Sequence, residues 1–206
     1  MAATGSNNKI MRNINEIFCS LQGEGAHTGI PAVFIRFAGC NLTCSFCDTR
    51  HQNGTPMTDR QIFRQVNKYP QVRLIILTGG EPSLWIDTQF ISELRQATGK
   101  KIAIETNGTN PLPDGIDWIT LSPKTGFEGG DRLPVVLSSC DELKVVYTGQ
   151  PLEPYMKYTA SYRFLQPCWT DDPNAREQNI ADTVAAVIAD PRWRLSLQTH
   201  RLINIP

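Results

Sequence analysis

Residues 32–47 read AVFIRFAGCNLTCSFC, and this stretch does more than any other to decide the fold. Its first six residues form a largely apolar run that is typical of a buried strand. Directly behind that run come three cysteines, Cys40, Cys44 and Cys47, with the spacing C-x3-C-x2-C. We therefore expect a buried strand that carries a cysteine loop at its carboxyl end.

The donor set of this loop favours an iron–sulfur cluster. No further cysteine or histidine follows closely enough to complete a tetrahedral set, apart from His51 four residues on. A cubane cluster has four irons, so three thiolates leave one iron open to another ligand. Structural zinc is the alternative, and it needs a more distant fourth ligand, which Cys19, Cys140, Cys168 or one of the three histidines would have to supply.

A second motif lies beyond the cysteine loop. Residues 74–78 read LIILT, a continuous apolar run that predicts another buried strand, and Gly79-Gly80-Glu81-Pro82 follows it. Glycine has no side chain, so the backbone at this turn can approach a bound ligand closely. The strand, the turn and the cysteine loop together indicate one binding site.

These two motifs, with the aromatic Phe46 just before the third cysteine, resemble the radical S-adenosylmethionine (SAM) enzymes. The resemblance implies that Cys40, Cys44 and Cys47 hold a 4Fe–4S cluster, whose open iron is chelated by the amino and carboxylate groups of SAM. In that family the reduced cluster cleaves SAM to a 5′-deoxyadenosyl radical.

A narrower set of motifs, in order along the chain, is similar to the 7-carboxy-7-deazaguanine synthase family. The motifs are SLQGEG at 20–25, TGIPA at 28–32, FIR at 34–36, CDT at 47–49, ETNGT at 105–109, SPK at 122–124, LQP at 165–167 and QTHRLINIP at 198–206. This resemblance implies conversion of 6-carboxy-5,6,7,8-tetrahydropterin to 7-carboxy-7-deazaguanine with loss of ammonia, in queuosine-type 7-deazapurine biosynthesis. It also implies that the radical abstracts a hydrogen atom from C6 of the pterin.

The same resemblance implies roles for single residues, and no protein side chain receives a catalytic one. SAM contacts are expected from Phe46, Gly80, Ser122, Pro123, Lys124, Gln166, Pro167, Cys168 and Trp169. Substrate contacts are expected from Leu21, Gln22, Gly23, Arg36, Thr78 and the terminal carboxylate of Pro206. Thr49 matches a Mg²⁺ ligand position, and Mg²⁺ takes few protein oxygens.

Several of these residues have a structural alternative. The planar guanidinium of Arg36 can bind a carboxylate with two hydrogen bonds, or it can form a surface salt bridge. Gln22 and Glu24 can recognise the pterin edge or serve a glycine-rich turn. Asp48 is a rival Mg²⁺ ligand, or it hydrogen-bonds a backbone amide. For His200, contact with the substrate and no contact with it are equally supported alternatives.

Other conspicuous residues are expected to be structural. Cys19 and Cys140 are predicted to be buried small side chains, as is Cys168 unless it contacts SAM. His27 and His51 lie in polar stretches and are expected to be exposed. Packing is the simplest role for the tryptophans Trp85, Trp169 and Trp193.

Composition fits this interpretation. The 206 residues are 40% hydrophobic and 19% charged with zero net charge, so no basic excess indicates binding to nucleic acid or a membrane surface. Six cysteines with three clustered do not form a disulfide framework, which favours the reducing cytoplasm. We expect residues 1–10 to be a disordered leader and residues 11–206 to form a single domain.

Strand and helix patterns alternate along the chain. Strands are predicted over residues 32–37, 74–78, 102–105, 118–121, 143–147, 163–165 and 194–198. Helices are predicted after the N-cap Thr58, over 87–98 with Gly99 as the stop, and over 178–189. The apolar faces of the first two helices are Ile62 and Val66, and Phe90, Ile91, Leu94 and Ala97.

The alternation predicts an α/β fold. Too few residues lie between Glu105 and Leu143 for full helices, so we expect an open partial (β/α) barrel of about six mostly parallel strands with a reduced set of helices. The polar motifs follow successive strands, which would place them on one rim, where such folds carry their chemistry.

Two rival functions share part of this pattern. An activase that installs a radical on a partner protein would keep the cysteine loop but not the Arg36, Thr78 and Pro206 set. A zinc-stabilised binding module would hold zinc and no iron. For the synthase, the resemblance implies a flavodoxin or ferredoxin as electron donor and a homodimer.

Overall fold

The computed structural model describes residues 10–49 and 51–206, and their strands form one sheet. The strands are β1 (Met11–Leu21), β2 (Pro31–Phe37), β3 (Thr55–Thr58), β4 (Leu74–Gly79), β5 (Lys101–Thr106), β6 (Trp118–Leu121), β7 (Ser139–Tyr147), β8 (Thr159–Pro167) and β9 (Arg194–Leu195). The helices are α1 (Asp59–Val66), α2 (Thr88–Thr98), α3 (Pro173–Ala189) and α4 (Thr199–Leu202).

The sheet is an open partial barrel, as predicted. Its order is β3-β1-β2-β4-β5-β6-β7-β8-β9, and the two end strands do not pair with each other. From β2 to β9 all neighbours are parallel, and these strands match the predicted ones. Among the described residues seven strands are parallel, and β1 and β3 add an antiparallel edge that the sequence did not indicate.

The polar composition of β1 and β3 explains why the sequence does not indicate them as strands. β1 reads MRNINEIFCSL and is mostly half-buried, and its register shifts between Ile14 and Glu16. Neither a clean alternation nor an apolar run marks such a strand. β3 has only four residues, one of them proline, which is common on edge strands.

Helix ends follow the predicted signals. The Thr58 side chain accepts from the Gln61 N–H, and the Gln61 side chain reaches back to Thr58, which completes a capping box. Gly99 ends α2 in the left-handed conformation, with φ of 65°. Ala97 does not lie on the buried face of α2 as predicted but is exposed, because that face turns away after Leu94.

The two faces of β2 and β4 have different neighbours. One face, with Val33, Ile35 and Leu77, packs against α1 and α2 in the main core. The opposite face starts with Phe34 and Ile76 in a smaller apolar cluster. Farther along the strands that second face turns polar and forms the wall of a cavity.

The carboxyl-terminal elements differ from the prediction in their lengths. α3 begins at Pro173, five residues before its predicted start, and the Asp172 side chain caps it by accepting from the Asn174 N–H. β9 spans only Arg194–Leu195, with one further backbone hydrogen bond from the Ser196 N–H to the Leu165 carbonyl oxygen at 2.9 Å, so the strand ends earlier than predicted. This leaves the final segment free to fold over the end of the barrel.

The amino-terminal prediction is only partly covered. Residues 1–9 lie outside the described residues, so the leader stays a prediction, while the described Ile10 is 50% exposed. β1 begins at Met11, where the fold was expected to start. None of the helices in the described part of the chain is long and apolar enough to cross a membrane.

Candidate active site

A cavity of about 530 Å³ lies at the carboxyl ends of the parallel strands. It collects almost every residue that the sequence singled out, although those residues come from loops far apart in the chain. Pro123 is the exception, since it is buried behind the wall. The predicted residues that line the cavity are Leu21, Gln22, Gly23, Arg36, Cys40, Cys44, Phe46, Cys47, Thr49, Thr78, Gly80, Ser122, Lys124, Gln166, Pro167, Cys168, Trp169 and Pro206.

The cysteine loop after β2 forms one wall. All three of its cysteines are free thiols. Its backbone is held from outside, because the N–H groups of Thr43 and Ser45 donate to the carbonyl oxygens of Gly129 and Glu128, each at 3.2 Å. Burial raises the pKa of Cys40, so a bound cation is needed to hold its thiolate at neutral pH.

The residues of this wall fit an iron–sulfur cluster. Three soft thiols face a space large enough for more than one ion. Within residues 10–49 and 51–206, no three side chains of Cys, His, Asp or Glu are placed to hold a single metal ion. A cubane cluster does not require that arrangement, because each of its irons takes its own thiolate.

The glycines after β4 are packed against the base of the cysteine loop. A Cβ atom on Gly80 would lie 2.0 Å from the carbonyl oxygen of Gly39 and 3.0 Å from the N–H of Cys40. The Gly80 N–H donates to the Phe37 carbonyl oxygen at 3.1 Å, and the Glu81 N–H donates to Gly39 at 2.9 Å. Close approach of two backbones, in addition to ligand access, therefore requires glycine here.

Gly80→Ala is expected to lower SAM affinity about tenfold, because the clash is with backbone and the cysteine loop must shift, at a cost of about 1–3 kcal/mol. The measurement is SAM binding to the reconstituted protein. Gly99→Ala is the matched control, since that glycine meets nothing within 4 Å and lies at the end of α2. Equal SAM affinity in the Gly80 variant and the wild type would contradict the packing argument.

Glu81 ties two strand ends together. Its carboxylate is 1% exposed and accepts from the Thr106 hydroxyl and the Asn107 N–H, both at 2.7 Å. The Asn107 side chain in turn donates to the Asn41 side chain at 3.0 Å. This chain of hydrogen bonds fixes the cysteine loop to the end of β5.

The wall beyond β6 combines a lysine with aromatic rings. Lys124 Nζ donates to the Ser122 hydroxyl at 2.6 Å and lies 5.8 Å from the centre of the Phe46 ring. Burial, together with the nearby Lys144 ammonium, lowers the pKa of Lys124. A buried cation of this kind is suited to a negatively charged ligand.

Trp169 lies between two guanidinium groups at the edge of the cavity. The side chains of Arg176 and Arg201 each lie 4.6 Å from its ring centre. The preceding carbonyl, that of Cys168, accepts from the Asn179 side chain at 2.9 Å. Trp169 is therefore part of the cavity wall and not of the core.

The opposite wall carries Arg36. Its Nε donates to Glu16 at 2.7 Å, and its guanidinium carbon lies 5.6 Å from the Phe18 ring centre. Phe18 stacks on Phe34 with ring centres 5.0 Å apart. Arg36 thus forms a salt bridge, yet its side chain is only 24% exposed and lines the cavity.

A buried charge cluster lies below this wall. Lys144 Nζ donates to Glu24 and lies 3.5 Å from Glu105, which also accepts from Gln22 at 2.9 Å and Thr78 at 2.8 Å. Burial alone would raise the pKa of Glu105, but the Lys144 ammonium and the Thr78 and Gln22 hydrogen bonds outweigh it and the pKa is lowered. The carboxylate is therefore charged at neutral pH.

Glu142, next to this cluster, behaves in the opposite way. Burial raises its pKa above the ordinary 4.5, although Lys144 and a hydrogen bond from the Ala26 N–H act against the shift. Its folded form holds a proton more tightly than its unfolded form, so its contribution to stability falls as pH rises above 4.5 toward the folded pKa.

Glu142→Gln removes this titration while keeping the acceptor for Ala26. We expect its free energy of unfolding, relative to the wild type, to increase as pH rises from 4.5 to 8. Urea unfolding of both proteins across that range is the measurement. A difference that stays constant with pH would contradict the raised pKa.

The last residues of the chain cover the cavity from the β9 side. The backbone N–H and hydroxyl of Thr199 both donate to the Gly23 carbonyl oxygen, at 2.9 and 2.7 Å. His200 lies directly on Gly23, where a Cβ would be 2.1 Å from its Nδ1. Burial lowers the pKa of His200, so it is neutral at neutral pH.

Asp48 accepts hydrogen bonds from two side chains, a role that differs from the hydrogen bond to a backbone amide considered above. It accepts from the side chains of Gln198 at 2.9 Å and Arg201 at 2.8 Å. Gln198 also donates to Glu24 at 2.9 Å. Asp48 therefore joins the cysteine loop to the carboxyl-terminal segment.

Some of the structural expectations are confirmed and some are wrong. Trp193 is 2% exposed in the core and Trp85 packs against a core cluster, while Cys19 and Cys140 pack against core clusters but are only partly buried. The two histidines expected to be exposed are partly buried instead. His27 packs against Trp118 with ring centres 4.5 Å apart, and His51 lines the cavity with a buried Nδ1 that has no hydrogen-bond partner in the described part of the chain.

Sequence reasoning missed Lys144 and gave no role to Glu81, Glu105 or Arg201. Lys144 lies in the run LKVVY of β7, where a charge among buried apolar residues is itself a signal, because buried charges require partners. Glu81, Glu105 and Arg201 stand inside the quoted motifs, and the positions of Glu81 just beyond β4 and of Glu105 near the end of β5 could have identified those two.

The fold and the cysteine loop define the class of protein. A family model for the radical SAM superfamily matches residues 34–139, which span the cysteine loop, the Gly-Gly-Glu-Pro turn and the strands through β6. Enzymes of this class use a 4Fe–4S cluster and SAM, and the three thiols and the cavity described above fit both.

Relatives along the whole chain narrow the class. A 7-carboxy-7-deazaguanine synthase from Bacteroides thetaiotaomicron is 57% identical over 95% of this chain and 100% of its own length, and one from Bordetella pertussis is 39% identical over 94% and 99%. The crystal structure of QueE from Escherichia coli superimposes with a TM-score of 0.71 at 26% identity, covering 91% of this chain and 93% of that one. The chain belongs to the 7-carboxy-7-deazaguanine synthase family.

Proposed function

We propose that this enzyme converts 6-carboxy-5,6,7,8-tetrahydropterin to 7-carboxy-7-deazaguanine with loss of ammonia, in queuosine-type 7-deazapurine biosynthesis. One observation carries the proposal: a single cavity brings the three cluster thiols together with a wall of Arg36, Thr78 and Glu105 that suits a small, polar, carboxylated ring. A relative named for this activity matches 95% of the chain.

The cofactor side of the cavity is assigned to the wall between the cysteine loop and β8. Cys40, Cys44 and Cys47 would hold the cluster, which with SAM supplies the 5′-deoxyadenosyl radical. SAM would be held by residues that already share this wall or pack behind it. They are Phe46, Gly80, Ser122, Pro123, Lys124, Gln166, Pro167, Cys168 and Trp169.

The substrate side is assigned to the wall near β1 and β2. Arg36 would bind the substrate carboxylate through the nitrogens that Glu16 does not occupy. Glu105, held charged by Lys144, would accept from ring N–H groups, with Gln22 and Thr78 fixing its orientation. Leu21 and Gly23 would contribute through the chain beside Gln22, since both line the cavity.

The end of the chain would complete the substrate side. Pro206 lines the cavity, and the Ile205 N–H donates to the His200 carbonyl oxygen at 3.0 Å, which fixes the direction of the last residues. A terminal carboxylate on Pro206 would bind substrate, and a short carboxyl-terminal extension would weaken that binding.

Mg²⁺ is proposed at Thr49, with the substrate supplying further oxygens. The Thr49 hydroxyl lies at the cavity and donates only a long hydrogen bond, 3.3 Å, to Asp48. Because Asp48 is already paired with Gln198 and Arg201, Thr49 is the better placed ligand of the two. Mg²⁺ keeps several waters, so one protein oxygen is enough.

Three further proposals concern the setting of the enzyme. Reduction of the cluster would come from a flavodoxin or ferredoxin, and the functional unit would be a homodimer. All six cysteines are free thiols, which supports a reducing compartment such as the cytoplasm.

The test is an anaerobic reaction of the reconstituted enzyme with reductant, Mg²⁺, SAM and 6-carboxytetrahydropterin, analysed by mass spectrometry. We expect the deazaguanine product and one ammonia for each product. 5′-Deoxyadenosine without that product would contradict the synthase and favour an activase. Neither product, with bound zinc in place of iron, would contradict the enzyme altogether.

A further inference from the structure

Arg201 lies on the carboxyl-terminal side of the cavity and contacts two of its other walls. It lies on α4, in the segment that covers the substrate side. Its Nη2 donates to Asp48, directly behind the last cluster cysteine, and its guanidinium lies 4.6 Å from the ring centre of Trp169 on the cofactor side. Among the described residues, Arg201 alone has side-chain contacts with both Asp48 and Trp169.

The segment carrying Arg201 has few other attachments. Gln198 bridges Glu24 and Asp48 at 2.9 Å each, and Thr199 donates to Gly23. Leu202 and Ile203 beyond it are 56% and 58% exposed, so apolar packing contributes little there. The position of the segment therefore depends on polar contacts to the cysteine loop and the cofactor wall.

Two polar atoms at this junction are buried without a hydrogen-bond partner among residues 10–49 and 51–206. They are Arg201 Nε and Gln198 Oε1. A buried donor or acceptor that lacks a hydrogen-bond partner destabilises the conformation that holds it. Both stand beside the cavity, so a ligand or a small movement of the segment on binding can relieve that destabilisation.

We infer that Arg201 is a positioning residue that couples the two halves of the cavity, so that SAM binding and pterin binding strengthen each other. The inference rests on the proposed function. SAM bound against the Trp169 wall would fix the ring on which Arg201 stacks. The carboxyl-terminal segment would then be held in place before the pterin binds, and less ordering would remain at that step.

Thermodynamic linkage makes the inference measurable. If SAM strengthens pterin binding by some factor, pterin must strengthen SAM binding by the same factor, and such factors are typically about 5 to 150. The experiment uses oxidised, cluster-loaded enzyme without reductant, which does not cleave SAM. Calorimetry then gives the affinity for each ligand with and without the other.

The wild type is expected to bind pterin at least about fivefold more tightly when SAM is present. Arg201→Gln should bind SAM alone within about twofold of the wild type, but its pterin affinity should no longer respond to SAM. Arg201→Lys, which keeps the charge for Asp48 and loses the planar stacking, should retain only part of the coupling.

Arg176→Gln is the matched control. Arg176 stacks on Trp169 at the same 4.6 Å, but its side chain donates to the Thr170 carbonyl and, within the described residues, makes no hydrogen bond to the carboxyl-terminal segment. This variant should keep the full coupling. If Arg201→Gln and Arg176→Gln lost the coupling equally, packing on Trp169 alone would explain the coupling. That result would overturn the inference.

Two further results would also overturn it: no coupling in the wild type, or full coupling in both Arg201 variants. A wild-type enzyme that binds SAM but no pterin would instead contradict the proposed function. The two failures are therefore distinguishable in the same set of titrations.

Discussion

Cys40→Ala is expected to abolish cluster binding and to reduce SAM cleavage below detection. The three thiols are the soft ligands on the cavity wall, and a cubane held by three cysteines has no spare protein ligand. Cys168 also lines the cavity, but it follows β8, outside the cysteine loop, and its carbonyl accepts from the Asn179 side chain. We therefore do not expect it to replace Cys40.

Iron and acid-labile sulfide, together with the formation of 5′-deoxyadenosine, are the measurements for this prediction. Cys140→Ala is the control, because Cys140 packs beside a core cluster away from the cavity and burial raises its pKa to about 11, which makes it a poor ligand. A Cys40 variant that retains four irons and cleaves SAM would show that the cluster is held elsewhere.

Lys144→Met is expected to destabilise the fold by about 3 kcal/mol, near the lower end of the cost of breaking a buried ion pair. The variant leaves Glu24, Glu105 and Glu142 facing one another without a cation. Burial would lower the pKa of Lys144, but these three carboxylates raise it well above its ordinary value, so the ammonium is strongly held in the folded state. The lower figure applies because the Glu105 side chain remains 23% exposed.

Urea unfolding at pH 7 measures the effect of Lys144→Met. Arg192→Gln is the control, since the Arg192 ion pairs with Glu153 and Asp190 lie at the surface and their loss should not be measurable. If the Lys144 variant were as stable as the wild type, the buried cluster would not depend on its cation. Substrate affinity should fall as well, because Glu105 loses the charge that keeps it ionised.

The parallel part of the fold could be predicted because its strands are buried on both faces. Continuous apolar runs such as residues 74–78 are then unavoidable, and each one ends at a glycine or polar motif. The antiparallel edge could not be predicted in this way. β1 is half-buried and carries Arg12, Asn13 and Asn15, so its pairing partners, which lie elsewhere in the chain, determine its structure.

The position of the candidate site could be predicted from the sequence, but the contacts between its motifs could not. Chain order places motifs after strands, and parallel strands bring those ends to one rim, which is why all but Pro123 line one cavity. Contacts between motifs are not encoded in their spacing. The bonds from Glu81 to Thr106 and from Asp48 to Arg201 join residues 25 and 153 positions apart.

The most direct test of the central claim follows the hydrogen atom at C6 of the pterin. The substrate is prepared with deuterium at C6 and turned over anaerobically, and mass spectrometry determines where the deuterium appears. Radical chemistry on the pterin in this cavity predicts deuterium in the deoxyadenosyl group, as 5′-deoxyadenosine or recovered SAM. Deuterium found only in the product or in water would contradict that account.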